Sequence, residues 1–141
     1  MRRSVHPPRS VGLATALLLL VALPAFAEDL DWAAVADRET IHVLTHDADG
    51  DARETTIWLL VLDGEGYIRT SRKTTWGDNV ERDPEIAIRI GDAEYPVRAH
   101  FIEDPDERMR IVAGFDAKYG SSWLFDFIRG DDPRIMRIEP R

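Results

Sequence analysis

The sequence of 141 residues contains no cysteine. Disulfides, thiolate catalysis and cysteine-ligated metal sites are therefore excluded. It also lacks a Gly-rich phosphate loop, a paired-carboxylate signature and any Ser-His-Asp order with a nucleophile motif. No side chain is thus assigned a catalytic role from sequence, and the question of whether the protein is an enzyme stays open.

An excess of basic charge is also missing. All 26 acidic residues follow residue 27, against 15 Lys and Arg in the same region, so that region carries a formal net charge of −11. This balance argues against nucleic acid or an anionic membrane surface as the main partner. It also makes any local cluster of cations conspicuous.

The only long apolar run lies near the amino terminus and is too short for a comfortable membrane span, which needs about 20 residues. Three arginines precede the 13-residue run 11–23, and Ala25-Phe26-Ala27 supplies a small-x-small cleavage pattern. We predict a cleaved signal peptide over residues 1–27, a single domain over 28–141, and a periplasmic or secreted protein. A retained amino-terminal anchor is the alternative, and Arg2-Arg3 leaves the twin-arginine export route open beside the ordinary one.

Short apolar or alternating segments joined by tight turns dominate the remainder. The predicted strands are 41–45, 55–62, 67–71, 85–90, 95–102 and 135–138. Helices are predicted over 29–36, 76–82 and 105–119, and the aromatic segment 123–128 is either a core element or a dimer contact. Tight turns impose antiparallel pairing, so we expect an α+β fold in which a small six-stranded antiparallel barrel carries two or three flanking helices.

The densest cluster of functional side chains runs from Arg69 to Thr75, where a strand leads into a helix. Three cations and four hydroxyls occur within these seven residues. Backbone N–H groups at a helix start, together with Arg and Lys, are suited to binding a phosphate. The alternative is a solvated strand end, because basic clusters of this size are common on surfaces.

The order of these elements resembles the split-barrel flavin-binding superfamily of pyridoxamine-phosphate oxidase-like proteins and deazaflavin-dependent nitroreductases. Ser71-Arg72-Lys73 is similar to the flavin-phosphate segment of that superfamily, and Asp83-Pro84 is similar to its usual Asn-Pro. Trp76-x-x-Asn79 resembles the helix that precedes the corresponding strand in the nitroreductases. The resemblance covers residues 40–103 and implies a six-stranded antiparallel split β-barrel.

The resemblance also implies a homodimer that binds FMN or a deazaflavin at the subunit interface. Arg72 and Lys73 would contact the phosphate by charge, while Thr70 and Ser71 would donate hydroxyl or backbone hydrogen bonds. Arg53 stands near the position of another phosphate-binding arginine of the superfamily. The tail 135–141 lacks the paired Arg and His of the vitamin-substrate motif, so pyridoxamine-phosphate oxidation itself is not implied.

Trp76 and Asn79 complete the candidate cofactor-binding set. Trp76 is either a ring that stacks on the flavin or an aromatic that covers one end of the barrel. Asn79 is either a ligand contact or a capping amide on the helix surface.

The histidines and the acidic turn 46–51 raise the question of a metal. Counted from Asp47, the sixth and twelfth positions hold Ala52 and Trp58, where a calcium loop needs Gly and Glu. An ordinary polar hairpin is the preferred interpretation, and no metal site is predicted. Binding of a tetrapyrrole through His42 or His100 is a further, weaker possibility.

These observations favour an exported split-barrel protein that binds FMN or a deazaflavin and supports oxidoreduction of an unknown small molecule. In the alternative, the same barrel has lost the cofactor and acts as a non-enzymatic binding or interaction module. The two hypotheses differ at the basic cluster, which the first places in a crevice beside Trp76 and the second leaves open to solvent.

Overall fold

The computed structural model describes residues 29–120 and 132–141. Seven strands form one antiparallel sheet in the order β2-β1-β5-β6-β7-β4-β3. The strands are β1 (Thr40–His46), β2 (Ala52–Trp58), β3 (Leu60–Leu62), β4 (Glu65–Thr70), β5 (Glu85–Ile90), β6 (Ala93–Phe101) and β7 (Arg134–Pro140). Two α-helices, α1 (Thr75–Arg82) and α2 (Pro105–Tyr119), and a 3-10 turn at Ala33–Val35 complete the described part.

The α+β class and the antiparallel pairing are confirmed, but the prediction of six strands is wrong. The predicted strand 55–62 is two strands, β2 and β3, which are separated by Leu59 and lie at opposite edges of the sheet. The sheet must therefore curl into a half-barrel until its two edges meet near Leu59. The backbone N–H of Leu59 donates to the carbonyl of Glu39 (3.0 Å) rather than continuing either ladder.

Alternating apolar residues fill the inside of the curled sheet. In β5 the residues Ile86, Ile88 and Ile90 are all buried, as the period of two predicted. The inner cluster also takes residues from the other strands and from α1, among them Val43, Met136 and Val80. The sheet therefore encloses one continuous apolar core, and α1 packs on that core.

Helix α2 covers the outer face of the opposite edge. Ile111, Val112 and Phe115 pack against Leu60 and Tyr67 in a second buried cluster. The ends of α2 are as predicted: the Asp104 side chain accepts from the Glu107 N–H (2.8 Å), and Gly120 adopts a left-handed conformation (φ 64°). The remaining predicted helix, 29–36, is reduced to the 3-10 turn, and the aromatic segment 123–128 lies outside the described residues.

No helix within 29–120 or 132–141 is both long and apolar enough to span a bilayer.

Candidate functional site

A cleft opens where the two edges of the curled sheet fail to pair. Strand β2 pairs only with β1. The pairing of β3 with β4 ends where Leu60 lies opposite Tyr67, so the rest of β4 pairs only with β7. The gap between β2 and β4 holds a cavity of about 440 Å³. This volume lies within the range of roughly 300–1,000 Å³ that is usual for small-molecule sites. We call it the split cleft; it is lined by Thr40, Thr55, Thr56, Ile57, Trp58, Arg69, Thr70, Ser71 and Trp76.

Arg69 is the charged residue of this lining. Its side chain is only 6% exposed, and its Cζ lies 4.5 Å from the ring centroid of Phe115 and 5.5 Å from that of Trp58. Removing an ion from water costs on the order of several kcal/mol, whereas a cation–π contact stabilises by about 0.5–2 kcal/mol. The aromatic contacts therefore help to stabilise this buried cation beside the cleft.

Trp58 forms one aromatic wall of the split cleft and is held by stacking. Its ring lies 4.4 Å from that of Tyr119, with an angle of 4° between the planes. The Tyr119 hydroxyl donates to the carbonyls of Glu39 and Leu59, at 2.5 Å each, and burial raises the pKa of Tyr119. The carboxyl end of α2 thus fixes both the point where the sheet edges meet and the Trp58 ring beside it.

Lys118 reinforces the same junction. Its ammonium donates to three backbone carbonyls, those of Ala36 (3.1 Å), Arg38 (2.6 Å) and Leu59 (2.8 Å). Burial lowers the pKa of Lys118. The residue thus joins the segment before β1 to the break between β2 and β3 by satisfying backbone carbonyls of both.

The opposite wall consists of Thr70 and Ser71, whose position depends on Arg134. The Arg134 Nη2 donates to the carbonyls of Ser71 (3.1 Å) and Thr74 (3.3 Å), and Nη1 donates to Asp78 Oδ1 (2.8 Å). The Thr70 and Thr74 hydroxyls are hydrogen-bonded to each other. One side chain from β7 therefore fixes the loop before α1 and the first turn of that helix together.

The structure separates the predicted phosphate-binding cations from the cleft. Arg72 is 67% exposed and pairs with Asp132, through Nη2 to Oδ2 (3.0 Å) and Nε to the backbone carbonyl (3.1 Å). Lys73 is exposed, and neither cation lines the split cleft. Of the predicted residues, Thr70, Ser71 and Trp76 do line it.

The other two predicted residues, Arg53 and Asn79, meet at Asp47. Arg53 binds both oxygens of Asp47 (2.6 Å each), and Asn79 Nδ2 donates to Asp47 Oδ1 (2.8 Å) and Thr45 Oγ1 (3.1 Å). The hydrogen bond from Arg53 has the largest effect and that from Asn79 the next, and together they lower the pKa of Asp47 to about 2. Both residues line a different cavity of about 660 Å³, so they are not part of the split cleft.

The histidines named for a tetrapyrrole lie elsewhere on the sheet. His42 Nδ1 is 3.1 Å from Glu54 Oε1, and His100 Nε2 is 2.8 Å from Glu139 Oε2. Neither ring lines the split cleft or the 660 Å³ cavity. In the part of the chain that the structure describes, no group of three or more His, Asp or Glu is arranged to hold a metal ion.

Sequence reasoning placed Arg69 in the basic cluster without assigning it a contact, and it missed Trp58 as a cleft residue and Arg134 as the support of the cleft wall. Tyr67 and Arg69 share one face of β4, while Ile68 and Thr70 share the other. Strand alternation could therefore have separated Arg69 from the exposed cations that follow it. Arg134 carries no such signal, because its contacts join residues about 60 positions apart.

Comparison with known proteins adds a family. Residues 31–134 match a family described as uncharacterized protein conserved in bacteria (DUF2255). The chain belongs to this family. No curated protein matches the DUF2255 chain significantly.

Solved structures confirm the fold. A Listeria innocua protein described as a candidate pyridoxamine 5'-phosphate oxidase superposes with a TM-score of 0.60 and 16% identity, covering 77% of this chain and 89% of that one. A structure described as an F420-H2 dependent reductase superposes with a TM-score of 0.57 and 17% identity, covering 72% of this chain and 95% of that one. HutZ of Vibrio cholerae, described as a heme storage protein, superposes with a TM-score of 0.57 and 18% identity, covering 74% of this chain and 83% of that one.

The match to ChuZ of Campylobacter jejuni (TM-score 0.60, 18% identity) covers 73% of this chain but only 48% of that one, so the DUF2255 chain spans about half its length. At these identities the matches show the fold alone. They confirm the predicted split-barrel fold, which this chain shares with structures described as a candidate pyridoxamine 5'-phosphate oxidase and as F420 reductases.

Proposed function

We propose that this protein is an exported split-barrel protein that binds FMN or a deazaflavin in the split cleft and supports oxidoreduction of a small molecule. The observation that carries the proposal is the lining of the cleft, which combines buried Arg69 with threonine and serine hydroxyls and the indoles of Trp58 and Trp76. Neighbours of the same fold described as F420 reductases support it.

The residues present fit such a cofactor. Arg69 supplies a positive charge, Thr70 and Ser71 supply hydroxyl groups, and Trp58 and Trp76 supply flat apolar surfaces. The bound cofactor would supply hydride-transfer chemistry, and the chain would bind it, orient it and exclude water. Arg72 and Lys73 remain proposed phosphate ligands, since the contacts of Arg72 are an exposed ion pair with Asp132, worth about 0–1 kcal/mol, and one hydrogen bond to its backbone carbonyl.

Export and dimerisation are parts of the same proposal. Cleavage after Ala27 would leave a mature chain that begins at Glu28. A homodimer would place a second subunit against the open edges of β2 and β4, and so enclose the split cleft further. Mass spectrometry of the protein recovered from the periplasm or medium tests the first, and light scattering on a sizing column tests the second.

The central experiment is titration of the purified mature protein with FMN and with F420, followed by absorbance and by calorimetry. We expect micromolar or tighter binding of one of them. Arg72→Ala/Lys73→Ala should weaken it, and Trp76→Leu should change the absorbance of the bound ring. Lys118→Met, outside the cleft lining, is the control for general loss of stability. Absence of binding by both cofactors at micromolar concentrations would refute the cofactor proposal.

A second candidate is a non-enzymatic binding module on the same barrel. It is favoured by one observation: the Arg72 and Lys73 pair lies outside the cleft, with Arg72 turned to Asp132. This version predicts that the double variant binds every ligand of the wild-type protein with unchanged affinity. Tetrapyrrole binding has weaker support, because neither His42 nor His100 lines the split cleft or the 660 Å³ cavity, and a Soret band on hemin titration would be needed to support it.

A further inference from the structure

Asp132 lies just before β7, and its carboxylate is shared by two arginines. Its Oδ1 accepts a hydrogen bond from Arg108 Nη2, and its Oδ2 accepts one from Arg72 Nη2 (3.0 Å). Arg72 Nε also donates to the backbone carbonyl of Asp132 (3.1 Å). Because each arginine uses a separate carboxylate oxygen, one contact can break while the other stays.

The two arginines differ in how firmly they are held. The Arg108 side chain is 13% exposed, and it also donates to the carbonyls of Ile102 (2.8 Å) and Pro133 (2.7 Å). The Arg72 side chain is 67% exposed, and its hydrogen bonds within the described residues go to Asp132. An exposed ion pair contributes little to stability, so Arg72 is the partner that can leave.

The backbone around Arg72 is fixed, so its side chain can change direction alone. Arg134 Nη2 donates to the carbonyls of Ser71 (3.1 Å) and Thr74 (3.3 Å), which lie on either side of Arg72 and Lys73 in the chain. Ser71 lines the split cleft, and Arg72 is the next residue. A change of rotamer can therefore move the Arg72 guanidinium beside the cleft without any movement of the loop.

We propose that Asp132 is an autoinhibitory counter-ion, which holds Arg72 outside the lining of the split cleft until the phosphate of a ligand takes its place. A phosphate monoester carries more negative charge than a carboxylate and offers three strong acceptor oxygens, so the exchange favours the ligand. Asp132 stays paired with Arg108 and is not left as an isolated charge. The inference rests on the phosphate-binding role that the proposed function gives to Arg72, and it adds the residue that controls this role.

Calorimetry on the mature protein tests the proposal with three probes: FMN, riboflavin, which lacks the phosphate, and pyrophosphate, which lacks the ring. Asp132→Asn keeps the size of the side chain and an oxygen for Arg108, but it removes the charge that holds Arg72. We expect this variant to bind FMN and pyrophosphate about two- to fivefold more tightly than the wild type, the range that an exposed ion pair supplies. Its affinity for riboflavin should be unchanged. A purely structural role of Asp132 would produce no such gain.

The Arg72→Ala background separates release of Arg72 from general electrostatics. Removing a negative charge near a bound phosphate favours binding through the Coulomb interaction alone. In Arg72→Ala, however, Asp132→Asn should give no further gain, because no guanidinium remains to be released. A gain of the same size in that background would overturn the proposal, as would equal affinities of Asp132→Asn and the wild type for both phosphorylated probes.

Pyrophosphate makes the result independent of the cofactor. A gain with pyrophosphate and no binding of FMN would support the role of Asp132 and count against FMN as the ligand of the cleft. Binding of FMN without any gain in Asp132→Asn would support the cofactor and overturn the role of Asp132. The two proposals can therefore fail separately.

A folding defect in Asp132→Asn would not remove the test. In the wild-type protein, the Nε–H resonance of Arg72, assigned by its loss in Arg72→Lys, should shift on addition of millimolar pyrophosphate. The corresponding resonance of Arg108 should stay in place, because that arginine keeps its contacts. An unchanged Arg72 resonance would overturn the proposal.

Discussion

Gly77, in the first turn of α1, offers a sharp test of how the cleft wall is built. A Cβ at this position would lie 2.3 Å from Arg134 Nη2, 2.7 Å from its Cζ and 2.8 Å from Thr70 Cγ2. All three distances are shorter than any ordinary carbon contact. The guanidinium of Arg134 therefore occupies the space that an alanine methyl group would need.

Two opposing effects set the magnitude for Gly77→Ala. Replacing glycine by alanine within a helix normally stabilises by about 0.5–1 kcal/mol. Overpacking a filled site costs about 1–3 kcal/mol, and moving Arg134 also weakens charge-assisted hydrogen bonds worth about 1.5–3 kcal/mol each. We expect a net destabilisation of about 1–3 kcal/mol, the opposite sign to that of an open helical site.

Urea unfolding followed by tryptophan fluorescence and circular dichroism measures this difference. Gly114→Ala in α2 is the matched control, because its nearest neighbour is the end of the flexible Leu60 side chain, at 2.9 Å, with the next contacts at 3.6 Å and 3.7 Å. We expect that control to be near neutral. Combining Gly77→Ala with Arg134→Ala should cost less than the sum of the single changes, because the first no longer displaces a guanidinium.

The reasoning is refuted if Gly77→Ala is as stable as the wild type or more stable. It is equally refuted if the double variant shows strict additivity, since the clash would then not involve Arg134.

Two further predictions concern the ends of the sheet. Arg53 and Asn79 lower the pKa of Asp47 from 3.8 to about 2, so the contribution of its carboxylate to folding stability is present above pH 4 and is lost as the pH falls toward 2. The difference between the urea midpoints of the wild type and Asp47→Asn should therefore narrow between pH 4 and pH 2. A difference that stays constant over this range would contradict the assignment. Lys118→Met removes three hydrogen bonds to backbone carbonyls and should destabilise by about 1–3 kcal/mol, whereas exposed Lys73→Met should not; equal urea midpoints for the two variants would show that the Lys118 contacts contribute nothing.

Features that depend on neighbouring residues in the chain were predictable. Helix α2 begins at its capping aspartate and ends at a left-handed glycine, because both interactions involve residues within a few positions of each other. The buried isoleucines of β5 follow from alternation alone. In each case the sequence contains both partners of the interaction within one short window.

The break at Leu59 was not predictable in this way. The run 55–62 is nearly all apolar, which suggested one strand covered on both faces. Only β3 is covered on both faces, because Leu60 and Leu62 pack under α2 and Val61 packs against the inner core. The apolar run continues across a change of sheet edge, and periodicity does not show which strand will pair with which.

The candidate site was predictable in part for a similar reason. Thr70, Ser71 and Trp76 reach the split cleft because the junction between strand and helix places them there. Arg72 turns to Asp132, a partner 60 residues away in the sequence. Arg53 and Asn79 meet at Asp47 through a contact between the β1–β2 hairpin and α1, which no local pattern reveals.

The unpaired edge of β4 explains why two consecutive residues of one strand line the same cavity. Inside a sheet, residues at consecutive positions face opposite sides and cannot contact the same molecule. At a free edge that limit disappears, and here Arg69 under α2 and Thr70 toward the interior line one cavity. Arg134 and Gly77 position the wall of this cavity without belonging to its lining. A change at Gly77 should therefore alter the stability of the protein before it alters the lining of the cavity.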